Sequence, residues 1–290
     1  MKTLYLECTS GISGDMIVAA LLDLGADKDV LMKALSGIND KSFEIKISRV
    51  LKSGIDCCDF DVILDKEHDG HDHDMEYLYG HTHGHEEHNH EHGHHGHGHH
   101  HDHHHEHDHE HEHHHDHPHE HRNLNDIIAI IDSLDLTEDA NRLAKKIFEI
   151  LAKAEAKAHN RTIEEVHFHE VGAIDSIVDI VSAAVCFDNL GITDVIVPKI
   201  CEGTGTVRCQ HGILPVPVPA VINIASEHKL PLSITNHKGE YVTPTGAAFV
   251  AAVMTERKLP DVFVPKKIGL GAGKREHELP GILRAVLIDD

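Results

Sequence analysis

Two stretches of this 290-residue chain carry side chains able to bind a transition metal, and they do so in opposite ways. The first, His68 to His121, holds 27 of the 34 histidines and 14 acidic residues, with no Lys or Arg. Neutral imidazole is the commonest protein ligand for Zn, Ni, Cu and Co. The run His97, His99, His100, His101, His103, His104 and His105 therefore offers many overlapping ligand sets and no single fixed site. Nothing in the tract can form a core, so disorder is expected in the absence of metal. The run is internal, long and interleaved with Asp, Glu and Gly, which sets it apart from a purification tag.

The second stretch is short: Val166-His167-Phe168-His169-Glu170-Val171-Gly172-Ala173-Ile174-Asp175-Ser176-Ile177-Val178-Asp179. On a strand, His167 and His169 project to one face while Phe168 enters the core. Gly172 permits a turn, and Asp175 or Ser176 can cap a helix carrying Ile177, Ile180, Val181 and Ala184. Asp175 and Asp179 then lie one turn apart. Two imidazoles and the carboxylates of Glu170, Asp175 and Asp179 at one strand-to-helix junction suit Ni, Zn, Co or Mn. The plainer alternative is a capped helix whose neighbouring histidines bond the backbone.

The elements around these stretches follow from periodicity. Thr3 to Glu7 reads as a strand running into Ser10-Gly11-Ile12-Ser13-Gly14-Asp15, then a helix on Met16, Ile17, Ala20, Leu21 and Leu24 that stops at Gly25. Such a turn brings N–H groups to a helix N-terminus and suits a phosphate or carboxylate. It matches neither GxGxxG nor the P-loop, and a tight turn capped by Ser13 explains it equally well. Phe43 to Val50 and Phe60 to Leu64 alternate as half-buried strands joined through Lys52-Ser53-Gly54, with Asp59, Asp61 and Asp65 on the polar face.

After the tract come two amphipathic helices, on Leu124 to Leu134 and on Leu136 to Ala158. A strand is expected at Val195 to Ile200. Pro215, Pro217 and Pro219 enforce an extended segment before a helix through Val221, Ile222 and Ala225. Thr243-Pro244-Thr245-Gly246 reads as a cap and first turn. Ile268 to Arg275 reads as a flexible glycine run, with Gly271 and Gly273 ahead of Lys274 and Arg275. This arrangement suits a phosphate, or else a sheet-edge turn with exposed charges. A last strand spans Leu283 to Ile288. The fold class is α/β (α+β) with mixed sheets, organised as a small unit at 1–67, the insertion at 68–121 and a larger unit at 122–290.

The net charge of −23 divides as −14 in the tract and −9 elsewhere, which argues against nucleic-acid binding. Six scattered cysteines without a CxxC pair fit reduced thiols in the cytoplasm. No apolar run approaches the roughly 20 residues of a membrane span, and the N-terminus lacks a signal-peptide pattern.

Several segments jointly resemble one family. They are Leu4-Tyr5-Leu6-Glu7 with Ser10-Gly-Ile-Ser-Gly-Asp15-Met16, the His-rich insertion, and His167-Phe-His-Glu-Val-Gly-Ala-Ile-Asp175-Ser-Ile-Val-Asp179. To these are added Gly203-Thr-Gly-Thr-Val207, His211-Gly, Leu214-Pro-Val-Pro-Val-Pro219, Val242-Thr-Pro-Thr-Gly246 and Gly269-Leu-Gly-Ala-Gly273. In this order, nearly end to end, they are similar to the nickel-insertion family of nickel-pincer cofactor biosynthesis (the LarC family).

The resemblance implies a nickel chelatase, or cyclometallase, of the lyase class. It would insert Ni²⁺ into pyridinium-3,5-bisthiocarboxylic acid mononucleotide with formation of two Ni–S bonds and one Ni–C bond. CTP is consumed, and the product serves lactate racemase and related nickel-pincer-dependent apo-enzymes. The family continues into a further domain that binds CTP with Mn²⁺ or Mg²⁺. This chain ends at Asp290, so the resemblance implies the N-terminal portion of a split or truncated protein, to which a separate CTP-binding chain is one candidate partner. The family's closing pattern has an Asn where this chain has Gly281.

On this reading Gly11, Ser13, Gly14, Asp15, Gly271, Gly273, Lys274 and Arg275 would hold the mononucleotide. Ni²⁺ relayed from the tract would rest on His167, His169 and a carboxylate, Asp175 or Asp179. Glu170, Asp175 or His211 would accept the ring proton. Two other functions share these residues: a non-catalytic nickel store or carrier, and a Zn-dependent hydrolase built on His167, His169 and Asp175. Either way, assembly into a homo-oligomer is open. A disordered histidine run cannot hold a substrate to the tolerance that catalysis demands, so the tract is read as a metal-gathering insertion.

Protons compete with metal for imidazole nitrogen. Nickel bound by residues 68–121 should therefore be released as pH falls through about 6, and equilibrium dialysis between pH 7.5 and 5 checks this.

Overall fold

The computed structural model describes residues 2–40, 42–64, 78, 122–165, 174–209 and 212–289. Along them run β1 (Thr3–Glu7), α1 (Gly14–Asp23), α2 (Lys28–Leu35), β2 (Phe43–Lys52) and β3 (Ile55–Leu64). Next come α3 (Leu124–Ser133), α4 (Glu138–His159), a 3₁₀ turn at Ile163–Glu165 and α5 (Ile174–Asn189). The chain continues with β4 (Asp194–Ile196), β5 (Ile200–Thr204), β6 (Thr206–Cys209), β7 (Gly212–Pro215) and α6 (Pro219–His228). It finishes with β8 (Leu232–Lys238), α7 (Pro244–Val253), β9 (Val264–Ala272) and β10 (Ile282–Asp289). This is the expected α/β class with mixed sheets.

The main sheet has six strands in the order β2-β3-β9-β10-β1-β4. β1 runs antiparallel to β10 and parallel to β4, and β3 meets β9 in parallel through Cys58 and Gly271. The segments read as separate units, 1–67 and 122–290, thus share one sheet. They also share one core, in which Leu4, Ile17, Leu21 and Phe60 are buried together with Ile147, Val181 and Phe249. The reason is connectivity: β1 has its two neighbours, β4 and β10, from the far end of the chain. The smaller sheets are β5 with β8, parallel, and the β6–β7 hairpin.

The β2–β3 hairpin turns at Ser53 and Gly54 with φ of 51° and 79°, the left-handed pair that matches strand twist. α4 ends as expected, with Asn160 as a left-handed C-cap after His159. α5 starts at Ile174, so Asp175 belongs to its first turn and is not its cap. The strand expected at Val195 to Ile200 is broken at Val197-Pro198-Lys199 into β4 and β5. Proline has no N–H for the ladder.

The glycine run proves to be part of a regular strand. A Cβ on Gly271 would collide with the Met16 carbonyl and lie 2.6 Å from the Ala20 nitrogen. One on Gly269 would collide with the Ala20 carbonyl and lie 2.6 Å from the Leu24 nitrogen. These glycines form the bed on which α1 rests, and that is why six successive α1 residues, Met16 to Leu21, are buried. Among the described residues no helix is long and apolar enough to cross a membrane. All six cysteines are free thiols.

Since the clash at Gly271 is with helix backbone, Gly271→Ala should cost about 1–3 kcal/mol, the usual range for overpacking. Denaturant unfolding measures it, and an unchanged midpoint would refute the close approach.

Candidate functional site

Four helices begin around one cavity of about 320 Å³. α1 brings Ser13, Gly14 and Asp15, α5 brings Asp175 and Ser176, α6 brings Pro219 and Ala220, and α7 brings Pro244 and Thr245. Each helix start carries partial positive charge on its unpaired N–H groups. Thr243 Oγ1 caps α7 by accepting from Gly246 N at 3.2 Å. α1 and α6 begin without a side-chain cap, because the Ser13 hydroxyl donates instead to Asp15 and Val218 has no polar atom to offer. The cavity therefore has the features of an anion site on these two sides.

Carboxylates define another side. Asp179 follows Asp175 by one turn of α5 and touches the start of α1, since a Cβ on Gly14 would collide with Asp179 Oδ2. Burial pushes the Asp179 carboxyl well above its usual range, and the neighbouring Asp15, Asp175 and Asp61 push it further against the opposing charge of Lys274. Proton uptake relieves this repulsion, and so would a divalent cation.

The cations are already engaged. Lys274 Nζ lies 2.6 Å from Asp59 Oδ1 and 3.4 Å from Asp61 Oδ1, and Arg275 pairs with Glu240. Beside them His277 stacks on Tyr241, with ring centroids 4.5 Å apart and planes at 34°. Burial and then the charge of Arg275 hold its imidazole down to about 4, so it is neutral at pH 7. The remaining wall includes Arg208 and Cys209 of β6, Glu155 and His159 at the end of α4, and an apolar side formed by Phe60, Val62 and Leu78.

The model of a family described as "Nickel insertion protein" matches residues 4–290. The chain belongs to that family. It is 52% identical over 287 residues to the pyridinium-3,5-bisthiocarboxylic acid mononucleotide nickel insertion protein of Alkaliphilus metalliredigens, covering 99% of this chain and 60% of the relative. Proteins of the same name from Acetivibrio thermocellus and Clostridium acetobutylicum are 39% and 45% identical, covering 99% of this chain and 60% and 64% of theirs. The chain thus spans about three fifths of the length of these family members. No solved structure matches it.

Of the residues expected from sequence, the cavity gathers Ser13, Gly14, Asp15, Asp175, Asp179, Gly273, Lys274 and Arg275. It does not gather two. Gly11 is packed on the Tyr241 backbone at φ 86°, and Gly271 lies under α1. His167, His169, Glu170, His211 and the histidines from His97 to His105 lie outside the described residues. Among residues 65–121 only Leu78 is described, buried and lining the cavity. Among the described residues no group of three or more His, Cys, Asp or Glu side chains could hold a metal ion.

Sequence reasoning missed Asp61, Arg208, Cys209, Glu240, Tyr241 and His277. His277 had a signal, since it follows Arg275 by two residues in a polar run after the glycines. Asp59 was expected on an exposed strand face; it is 7% exposed, held by Lys274 and by Ser48 Oγ at 3.1 Å.

The raised Asp179 pKa has a thermodynamic sign. Folding favours the neutral carboxyl, so its contribution is fully present below the unfolded value near 3.9 and is lost as pH rises toward the folded value. Asp179→Asn should therefore raise Tm at pH 7–8 and flatten the decline of Tm above pH 4 in thermal scans. A Tm lowered at every pH would contradict the electrostatic account.

Proposed function

We propose that the cavity holds a pyridinium bisthiocarboxylate mononucleotide while Ni²⁺ is inserted into it, the activity named for the family members above. The observation that carries this reading is the meeting of four helix starts and a carboxylate cluster in one cavity. The substrate has three anionic groups, a phosphate and two thiocarboxylates, which suit helix N-termini. The same reaction needs a dication beside them; the described aspartates form no metal site by themselves, so the ligand set assigned here combines Asp175 or Asp179 with residues outside the described ones.

His167 and His169 precede Asp175 closely in the chain, and with Asp175 or Asp179 they would supply mixed nitrogen and oxygen ligands suited to nickel. Binding would displace the proton from Asp179. The softer thiocarboxylate sulfurs then take the metal over. Forming the Ni–C bond releases the ring proton, for which Glu170, Asp175 and His211 are the acceptors we assign. The family resemblance adds a CTP-binding portion using Mn²⁺ or Mg²⁺ and a nickel-pincer apo-enzyme as recipient. The free thiols fit the reducing cytoplasm. The His-rich tract serves as loader, gathering Ni²⁺ for the ordered site.

Assayed for nickel-pincer formation with the CTP-binding portion added, His167→Ala and Asp175→Ala should each lose about 100-fold or more in rate. Removal of residues 81–121, which takes out most of the histidine tract and spares the cavity-lining Leu78, should leave turnover intact at saturating Ni²⁺ and depress it only when Ni²⁺ is scarce. Parental rates in both point variants would remove the site from this assignment. Loss of turnover at saturating Ni²⁺ in the deletion would move the chemistry to the tract.

A further inference from the structure

Behind the cavity wall lies a carboxyl group that the proposed chemistry does not use. Glu202, on β5, is fully buried. Its Oε1 accepts from three backbone N–H groups: Gly203 at 2.7 Å, Tyr241 at 2.7 Å and Val242 at 3.2 Å. Its Oε2 has no hydrogen-bond partner among the described residues. A carboxyl so placed costs desolvation, and a simple strand-to-strand contact would not require one.

What Glu202 holds leads directly to the cavity. The carbonyl of Tyr241 accepts from Ile12 N at 2.9 Å, and Thr243 N donates back to the Ile12 carbonyl at 3.1 Å. Ile12 and Val242 form a parallel bridge. Gly11 and Gly246 make close approaches here, since a Cβ on either would strike the carbonyl of Tyr241 or of Ile12 respectively. Ile12 immediately precedes Ser13, the N-cap position of α1, and Thr243 caps α7. The Tyr241 ring carries His277, and its hydroxyl accepts from Leu279 N at 3.5 Å. One buried carboxyl is therefore hydrogen-bonded to the strand segment on which two helix starts and a cavity-lining imidazole are seated.

We infer that Glu202 is a positioning residue for the cavity, and that gain or loss of one proton there changes how the cavity holds its anionic ligand. The second half of this inference rests on the function proposed above; the first half does not. Two opposing effects act on the carboxyl. Burial disfavours its charge and raises its pKa from 4.5 to about 7; the three N–H groups favour the charge without prevailing. The charged and titratable groups around it are few. Glu240, paired with Arg275, adds repulsion, and the Tyr241 phenol is itself raised by burial. His237 lies 6.4 Å from the Tyr241 ring, and His277 titrates far lower, at about 4.

The test begins without ligand, on the whole chain. Amide NMR signals of Gly203, Tyr241, Val242 and Ile12 should titrate together near pH 7. They should still do so in His237→Asn, and they should be flat in Glu202→Gln, whose amide oxygen can still accept the three N–H groups. Glu202→Leu, which cannot, should weaken amide protection at Ile12 and Tyr241, whereas Glu202→Gln preserves it.

With the mononucleotide as ligand and the CTP-binding portion present, the rise in KM between pH 6 and 8 should be severalfold larger in the parent than in Glu202→Gln, which keeps only the dependence that other groups impose. The clamp is overturned if the four amides titrate apart, or if Glu202→Gln retains their transition. Superimposed KM profiles of parent and Glu202→Gln would overturn the proton-linked half alone. Failure of the parent to bind the mononucleotide would refute the proposed function and leave the amide result to judge the clamp.

Discussion

The close approach of α1 to β9 is the constraint on which the rest of the molecule depends. Helix backbone meets strand backbone over Gly269 and Gly271, with no room for a methyl group. This contact sinks α1 into the sheet and fixes where its first turn points. Because β9 also joins β10 and β3, the same contact orders the sheet from β1 to the β2–β3 hairpin. Lys274, which follows β9 by two residues, is thereby brought to Asp59 and Asp61. Without the glycines the helix start and the loop cations would not face each other across one space.

Within that space two kinds of electrostatics are kept apart. Helix starts present diffuse positive potential from backbone dipoles, which cannot be titrated away. The carboxylates present concentrated negative charge that a proton or a metal can neutralise. A net-cationic pocket would hold an anionic nucleotide and repel nickel; an all-carboxylate one would do the reverse. Tying Lys274 and Arg275 into ion pairs moderates both extremes, and the neutral state of His277 follows partly from Arg275 beside it. The relatives from Alkaliphilus metalliredigens, Acetivibrio thermocellus and Clostridium acetobutylicum carry both partners, a mononucleotide and nickel, in their names.

Much of this was legible in the sequence because it is local. Thr243-Pro244 announced a capped helix, Gly25 a helix stop and Ser53-Gly54 a tight hairpin, each through rules that act within four or five residues. Asp175 and Asp179 came from helical spacing, and the order of the motifs pointed to the family. The glycines of β9 were read as a flexible run, suited to a phosphate or to a sheet-edge turn, and prove to be regular strand, since sequence shows that a side chain is missing and not what occupies its place. Asp59 was misassigned because strand alternation predicts one buried face, while β3 is covered on both near its pairing with β9. Glu202 gave no signal at all. Its role comes from Tyr241 and Val242, about forty residues away, through backbone groups that leave no mark on composition.

The position of β10 has a consequence for how the protein comes into being. β1 needs β10 as its neighbour, and the cavity is lined by residues from Ser10 to Gly281. Residues of the cavity wall near Ser10 are therefore made long before the neighbours that close the space around them. The cavity is complete only once β9, β10 and the residues between them, Gly273 to Gly281, have been added. The topology of the sheet alone thus makes the cavity one of the last features to form as this stretch is synthesised.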